Sequence, residues 1–236
     1  MPRITSPRDT PSGDSIRRVT SPTAPDDPWT RTFYEAGGDD KAFDRVVFFS
    51  DAVFAIALTL MAVEIGVPVI SDASSTTELW AALGDKVPQF IAFVVAFAWV
   101  AFYWRANHRF TTTLRGMSGR YIAAVLVYLG LVAFLPFPAG LLGEYWDNPV
   151  AVAVFAGFAA AVSFMEVVLF VVADRQRLFL TAIAPSFRRQ AIAGSLVPVM
   201  GFLVSIPFAF ISTLAAFACW LVVSVAGGWI VSRWIR

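Results

Sequence analysis

From residue 45 onward the chain consists largely of apolar stretches of about 20 residues, each long enough at about 1.5 Å per helical residue to cross roughly 30 Å of hydrocarbon. The pattern places spans near 45–68, 86–108, 120–143, 149–173, 189–208 and 210–233. Inside a bilayer each backbone N–H and C=O must find its partner within the segment, so these stretches read as α-helices. The expected fold is therefore all-α, a polytopic membrane protein with six transmembrane helices per subunit. Composition excludes a soluble domain: 58% of the 236 residues are apolar and 15% charged, against about 45–50% and 25% in ordinary soluble proteins. Pro198 and Pro207 interrupt a nearly continuous run from Ala191 to Trp234, and two helices joined near Ser205 to Phe210 fit that run better than one.

The basic residues test this count. With both termini cytoplasmic, every one of the 18 Lys and Arg residues except Lys86 falls on the inner side, as the positive-inside rule requires. A five-span arrangement would carry Arg233 and Arg236 outside. The net charge of +1 leaves no basic excess for nucleic acid. Residues 1–40, with strings such as "SPRDTPSGDS" and "SPTAPDDPW", have almost no apolar periodicity and are expected to form a disordered cytoplasmic tail. They lack the short apolar core of a signal peptide. Residues 41–236 then form the six-helix transmembrane domain.

A single cysteine, Cys219, and a single histidine, His108, exclude a disulfide framework, a metal cluster and a Cys/His dyad. Without a nucleophile motif either, no enzyme activity, metal or cofactor is expected. Chemistry is concentrated in the first span, "DRVVFFSDAVFAIALTLMAVEIGVP", where Arg45, Ser50, Asp51, Thr59 and Glu64 sit among apolar neighbours. Ionisable groups in a membrane helix cost on the order of 2.5–3.5 kcal/mol each, so they are normally paired or line a polar path. Val53, Ile56, Leu60, Val63 and Val67 form a branched stripe, and Ala52, Ala55, Thr59 and Ala62 a stripe of small residues beside it. Such a pattern serves bundle packing as readily as a pore, and periodicity alone does not separate the two.

The wording of the segment adds what spacing does not. Arg45, Phe49, Ser50 and Asp51 match the Arg-x-x-x-Phe-Ser-Asp signature of the transmembrane protein 175 family, endosomal and lysosomal potassium channels with bacterial relatives, and "AVFAIALTLMAVEI" resembles the family's continuation. The resemblance implies a bacterial, potassium-selective, leak-type channel in the plasma membrane, a homotetramer whose first helices line the pore. It implies a hydrophobic constriction at Ile56, Leu60 and Val63 in place of a carbonyl filter, with potassium as permeant ion, the bilayer and the chain itself as partners, and no cofactor. Val63 departs from the leucine common at the last ring. Thr59, about 60° round the helix from Ile56, stands where a hydroxyl meets the ring, although mid-helix threonines often bond back to their own backbone.

Helix two runs inward from Lys86, so His108 arrives about 33 Å away at the cytoplasmic end. Trp104 and His108, which have counterparts in the family, thus reach the depth of Ser50 and Asp51. The expectation is a polar network in which Arg45, Trp104 or His108 holds Asp51, against the plainer reading of an interfacial anchor. Glu64 is expected at an outer vestibule or as a rim carboxylate bonded to a neighbouring helix. Glu166 is expected to bond a Ser or Tyr of an adjacent helix. Arg175, Arg177, Arg188 and Arg189 flank a stretch read as amphipathic and lying on the inner leaflet. The rival class is a small proton-coupled secondary transporter using Asp51, Glu64 and Glu166. Against it, the first span carries no Gly or Pro before Gly66 and Pro68, and no internal repeat is visible.

Overall fold

Apolar length and local capping together decide where each helix starts and stops. The structure, a computed structural model, describes residues 40–222, all within one compact unit. The helices are α1 (Asp40–Val63), α2 (Thr76–Asp85), α3 (Val87–Thr111), α4 (Gly119–Phe134), α5 (Pro136–Glu144), α6 (Pro149–Arg175) and α7 (Pro185–Ala209), followed by α8 (Thr213–Val222). Five segments are long and apolar enough to cross a membrane: Phe43–Val63, Val87–Thr111, Gly119–Glu144, Pro149–Arg175 and Arg188–Ala209. They correspond to the first five expected spans. Of the sixth, the described residues contain only α8. Its expected remainder with Arg233 and Arg236 lies outside them, as does the tail expected over residues 1–40 up to residue 39.

Starts carry recognisable caps. The Ser118 hydroxyl accepts from the Tyr121 amide at 3.1 Å, and Asn148 Oδ1 accepts from the Val150 amide at 2.9 Å just ahead of Pro149. Four features differ from the sequence reading. The first helix ends at Val63 rather than near 68, because Gly66 takes a left-handed φ of 64° and turns the chain away; Val67 therefore leaves the stripe. The following connection contains α2, opened by Ser75, whose hydroxyl accepts from the Glu78 amide at 3.3 Å. The Glu78 carboxylate accepts in turn from Ser71 and Asp72, and these bonds, led by that of the Asp72 amide, hold its pKa below the ordinary value. The third span is broken at Leu135 into α4 and α5, since Pro136 lacks the amide hydrogen to continue the ladder. Lastly, Pro207 is absorbed in the last turn of α7, and the turn to α8 comes at Phe210–Ser212, where the Ile211 and Ser212 amides both bond the Phe208 carbonyl.

The stretch after Arg175, read as amphipathic, begins as a loop. This loop pairs with the α3–α4 connection through a Leu114–Phe179 bridge: the Arg115 amide donates to the Leu178 carbonyl at 2.9 Å and the Leu180 amide to that of Thr113 at 3.0 Å. Ser118 and Gln176 bond side chain to side chain, and Phe110, Phe170 and Phe179 pack beneath. Unmet backbone groups in the two loops satisfy each other.

α6 occupies the centre, with Val152, Phe155, Ala156, Ala159 and Ser163 buried along it. Tyr103 of α3 crosses to it, its hydroxyl 3.0 Å from both the Ala159 carbonyl and the Ser163 hydroxyl. Trp220 of α8 donates to Ser205 of α7 at 2.8 Å. α3 and α5 approach closely at Gly143, where a Cβ would stand 3.0 Å from the Gln89 Cα. A backbone atom cannot step aside as a side chain can. Gly143→Val is therefore expected to lower stability by about 1–3 kcal/mol, read as a lowered Tm in detergent micelles; an unchanged Tm would show that the contact yields.

Candidate functional site

α1 has two unlike faces. Ser50, Phe54, Ala57 and Met61, spaced at four and three residues, point into the bundle, with Phe54 1% and Ala57 0% exposed. The opposite side carries Ile56, Leu60 and Val63, of which Ile56 is 57% and Val63 72% exposed, and beside them Ala52, Ala55, Thr59 and Ala62 are also uncovered. Phe54 wins the inward position because it finds Tyr128 of α4, ring centroids 6.0 Å apart. The chain thus packs one line of α1 and leaves both stripes of the sequence reading, apart from half-buried Val53, without cover from its own helices. Thr59 donates its hydroxyl hydrogen to the Ile56 carbonyl at 2.8 Å, which fixes the hydrogen and leaves the oxygen lone pairs directed outward.

The motif residues part company. Trp104 Nε1 donates to Asp51 Oδ1 at 2.8 Å, joining α3 to α1, and the His108 ring stacks on Trp104 at 5.4 Å and 23°. Trp104 and His108 lie one helical turn apart, which brings the two rings together on one face of α3. Arg45 is not brought to Asp51. Among the described residues the ion pair is that of Arg188 with Asp174, at 3.0 Å. Ser50 bonds back to the Val46 carbonyl at 2.9 Å and is buried, while Phe49 is exposed.

Glu64 stands one residue past α1 and is exposed, with its carboxylate lying against Gly140 of α5. Glu166 of α6 accepts from the Tyr128 hydroxyl at 3.2 Å. Asp51, Glu64 and Glu166 therefore sit in three separate places, against α3, α5 and α4. What the sequence reading did not assemble is a polar line on α3: Tyr103, Asn107 and Thr111 are all buried. Their spacing of four residues was the available signal, and an apolar count passes over it because tyrosine scores as apolar.

Residues 45–136 match the family model described as the endosomal/lysosomal potassium channel TMEM175. The chain is 35% identical over 128 residues to a protein of Chamaesiphon minutus named as a potassium channel, covering 50% of this chain and 60% of that one. It is 37% identical over 101 residues to another so named from Streptomyces collinus, covering 43% and 48%. The chain thus spans about half to three fifths of the length of these curated relatives. The crystal structure of a lysosomal potassium-selective channel TMEM175 homolog from Chamaesiphon minutus matches with a TM-score of 0.64 at 28% identity, covering 81% of this chain and 97% of that one. The family match begins at Arg45, the first residue of the signature on α1, and the likeness in fold extends far beyond it: the chain resembles the TMEM175 channels in sequence over residues 45–136 and in fold over most of its length.

Proposed function

We propose that this protein is a potassium-selective, leak-type channel of the plasma membrane, a homotetramer whose four α1 helices surround the ion path. The observation that carries the reading is the pair of faces on α1. The helix commits its Ser50–Met61 line to its own bundle, while Ile56, Leu60 and Val63 are left for a shared axis and the small residues beside them for the neighbouring subunit. One chain supplies one such helix, so a monomer encloses no path. The relatives named as potassium channels support the choice of ion.

Rings of Ile56, Leu60 and Val63 offer no ligand to a bare ion and act through diameter and wetting. Potassium, with its lower charge density, rearranges its water at less cost than sodium, which sets the direction of selectivity. Thr59, with its hydrogen already committed to Ile56, presents only lone pairs to a cation passing the ring. At the other ring margin, Glu64 places four carboxylates near the outer mouth, where they concentrate cations. Trp104, with the His108 ring stacked on it, holds Asp51 and with it the angle of α1. No cofactor takes part.

In liposomes containing the purified protein, potassium is expected to flow down its gradient without a proton gradient, and faster than sodium. Flux that requires a proton gradient, or saturates at the turnover of a carrier, would sink this reading in favour of the transporter.

A further inference from the structure

α3, α4, α6 and α7 line a half-open cavity of about 120 Å³ that is separate from the exposed face of α1. Its walls are apolar at Phe110 and Phe170, and four side chains bring oxygen to it: Asn107 from α3, Tyr128 from α4, Glu166 from α6 and Ser195 from α7. Asn107 is only 8% exposed, and its amide has no hydrogen-bond partner among the described residues. Tyr128 donates to Glu166 Oε1, so the second carboxylate oxygen remains available. No Lys, Arg or His lines the space.

A carboxylate in hydrocarbon surroundings needs a compensating charge or a proton. That deficit is met by a small positive guest, which the acceptor oxygens around the space can hold. We propose that this cavity binds one small, partly hydrated monovalent cation, with Glu166 as counter-charge and Asn107, Tyr128 and Ser195 as neutral oxygen ligands.

The room and the charge both fit that class. One water needs roughly 10–15 Å³ of such space, so the cavity takes a sodium- or potassium-sized ion with several waters. A divalent ion would keep half its charge against a single carboxylate, and no group of three or more His, Cys, Asp or Glu residues stands together among the described residues. The ligands come from four helices far apart in sequence, so occupancy ties α7 to the α3–α4–α6 core. The site lies off the proposed pore axis and does not rest on the channel reading.

The probe is thallium, a potassium-sized cation with strong anomalous scattering. Crystals of the full chain grown with thallium in place of potassium are expected to show an anomalous peak beside Glu166, lost in Glu166→Gln. Ser195→Ala, a milder change, is expected to raise the half-saturating thallium concentration about tenfold, a loss of about 1.4 kcal/mol. A wild-type map with no density at Glu166 overturns the proposal, whether or not ions appear on the pore axis, and means that a proton alone neutralises the carboxyl. A peak that persists undiminished in Glu166→Gln overturns it as well. Density on the axis reports on the pore independently, so the two readings fail separately.

Discussion

Ile56→Asn is expected to abolish the preference for potassium over sodium, by at least an order of magnitude in the permeability ratio, while raising total cation flux. A tenfold loss corresponds to about 1.4 kcal/mol, which is within what one polar ring supplies. An asparagine amide offers oxygen to either ion and keeps water in the constriction, so neither dehydration cost nor dewetting discriminates any longer. Ile56 is 57% exposed in the subunit, so the substitution leaves the core intact and is expected to cost within about 0.5 kcal/mol of subunit stability. The measurement is the reversal potential under potassium and sodium gradients across a planar bilayer. If the ratio in Ile56→Asn equals that of wild type, the ring is not the filter and Leu60 or Val63 must be tested in its place.

The second large effect is expected at Asp51, where the loss is one of assembly. Trp104 Nε1 lies 2.8 Å from Asp51 Oδ1, and hydrogen bonds to a charged partner contribute about 1.5–3 kcal/mol. Asp51→Ala removes the acceptor from every subunit and leaves the indole donor unmet. Trp104→Phe removes the same bond from the other side and keeps a ring for His108 to stack on. Each single change is expected to reduce the tetramer fraction, measured by light scattering on size-exclusion chromatography, and the double change to cost no more than either alone. Asp51→Asn, which keeps an acceptor oxygen, is expected to lose less. Full assembly and unchanged current in Asp51→Ala would mean that this bond does not set the angle of α1.

Periodicity and hydropathy made most of the bundle legible, because a membrane helix must satisfy its own backbone and so announces itself by length. The ends were less legible for local reasons: Gly66 stops α1 before the apolar run does, and Pro136 splits a span whose hydropathy is unbroken. The pairing of the inner loops was not legible, because an amphipathic pattern does not reveal that the segments around Leu114 and Phe179, far apart in sequence, share backbone bonds. At the candidate site, the stripe of Ile56, Leu60 and Val63 was visible as spacing. Which side of α1 turns inward was not, since Phe54 and Met61 are as apolar as the residues opposite them, and only the partner at Tyr128 decides. That Asn107 and Glu166 line one space depends on the crossing of helices, which no spacing along one helix encodes.

The clasp between the two inner loops has a mechanical meaning. Because the backbone of 113–115 is stitched to that of 178–180, the ends of α3 and α6 and the start of α4 are riveted at that point and resist separate tilting. α1 has no such stitch among the described residues and is tied across to α3 by the side chains of Asp51 and Trp104. α1 leans on that frame through the packing of Phe54, Ala57 and Met61 and through that one bond. α1 is also the helix that carries Ile56, so in the proposed channel its tilt sets the position of that residue while the frame keeps its shape.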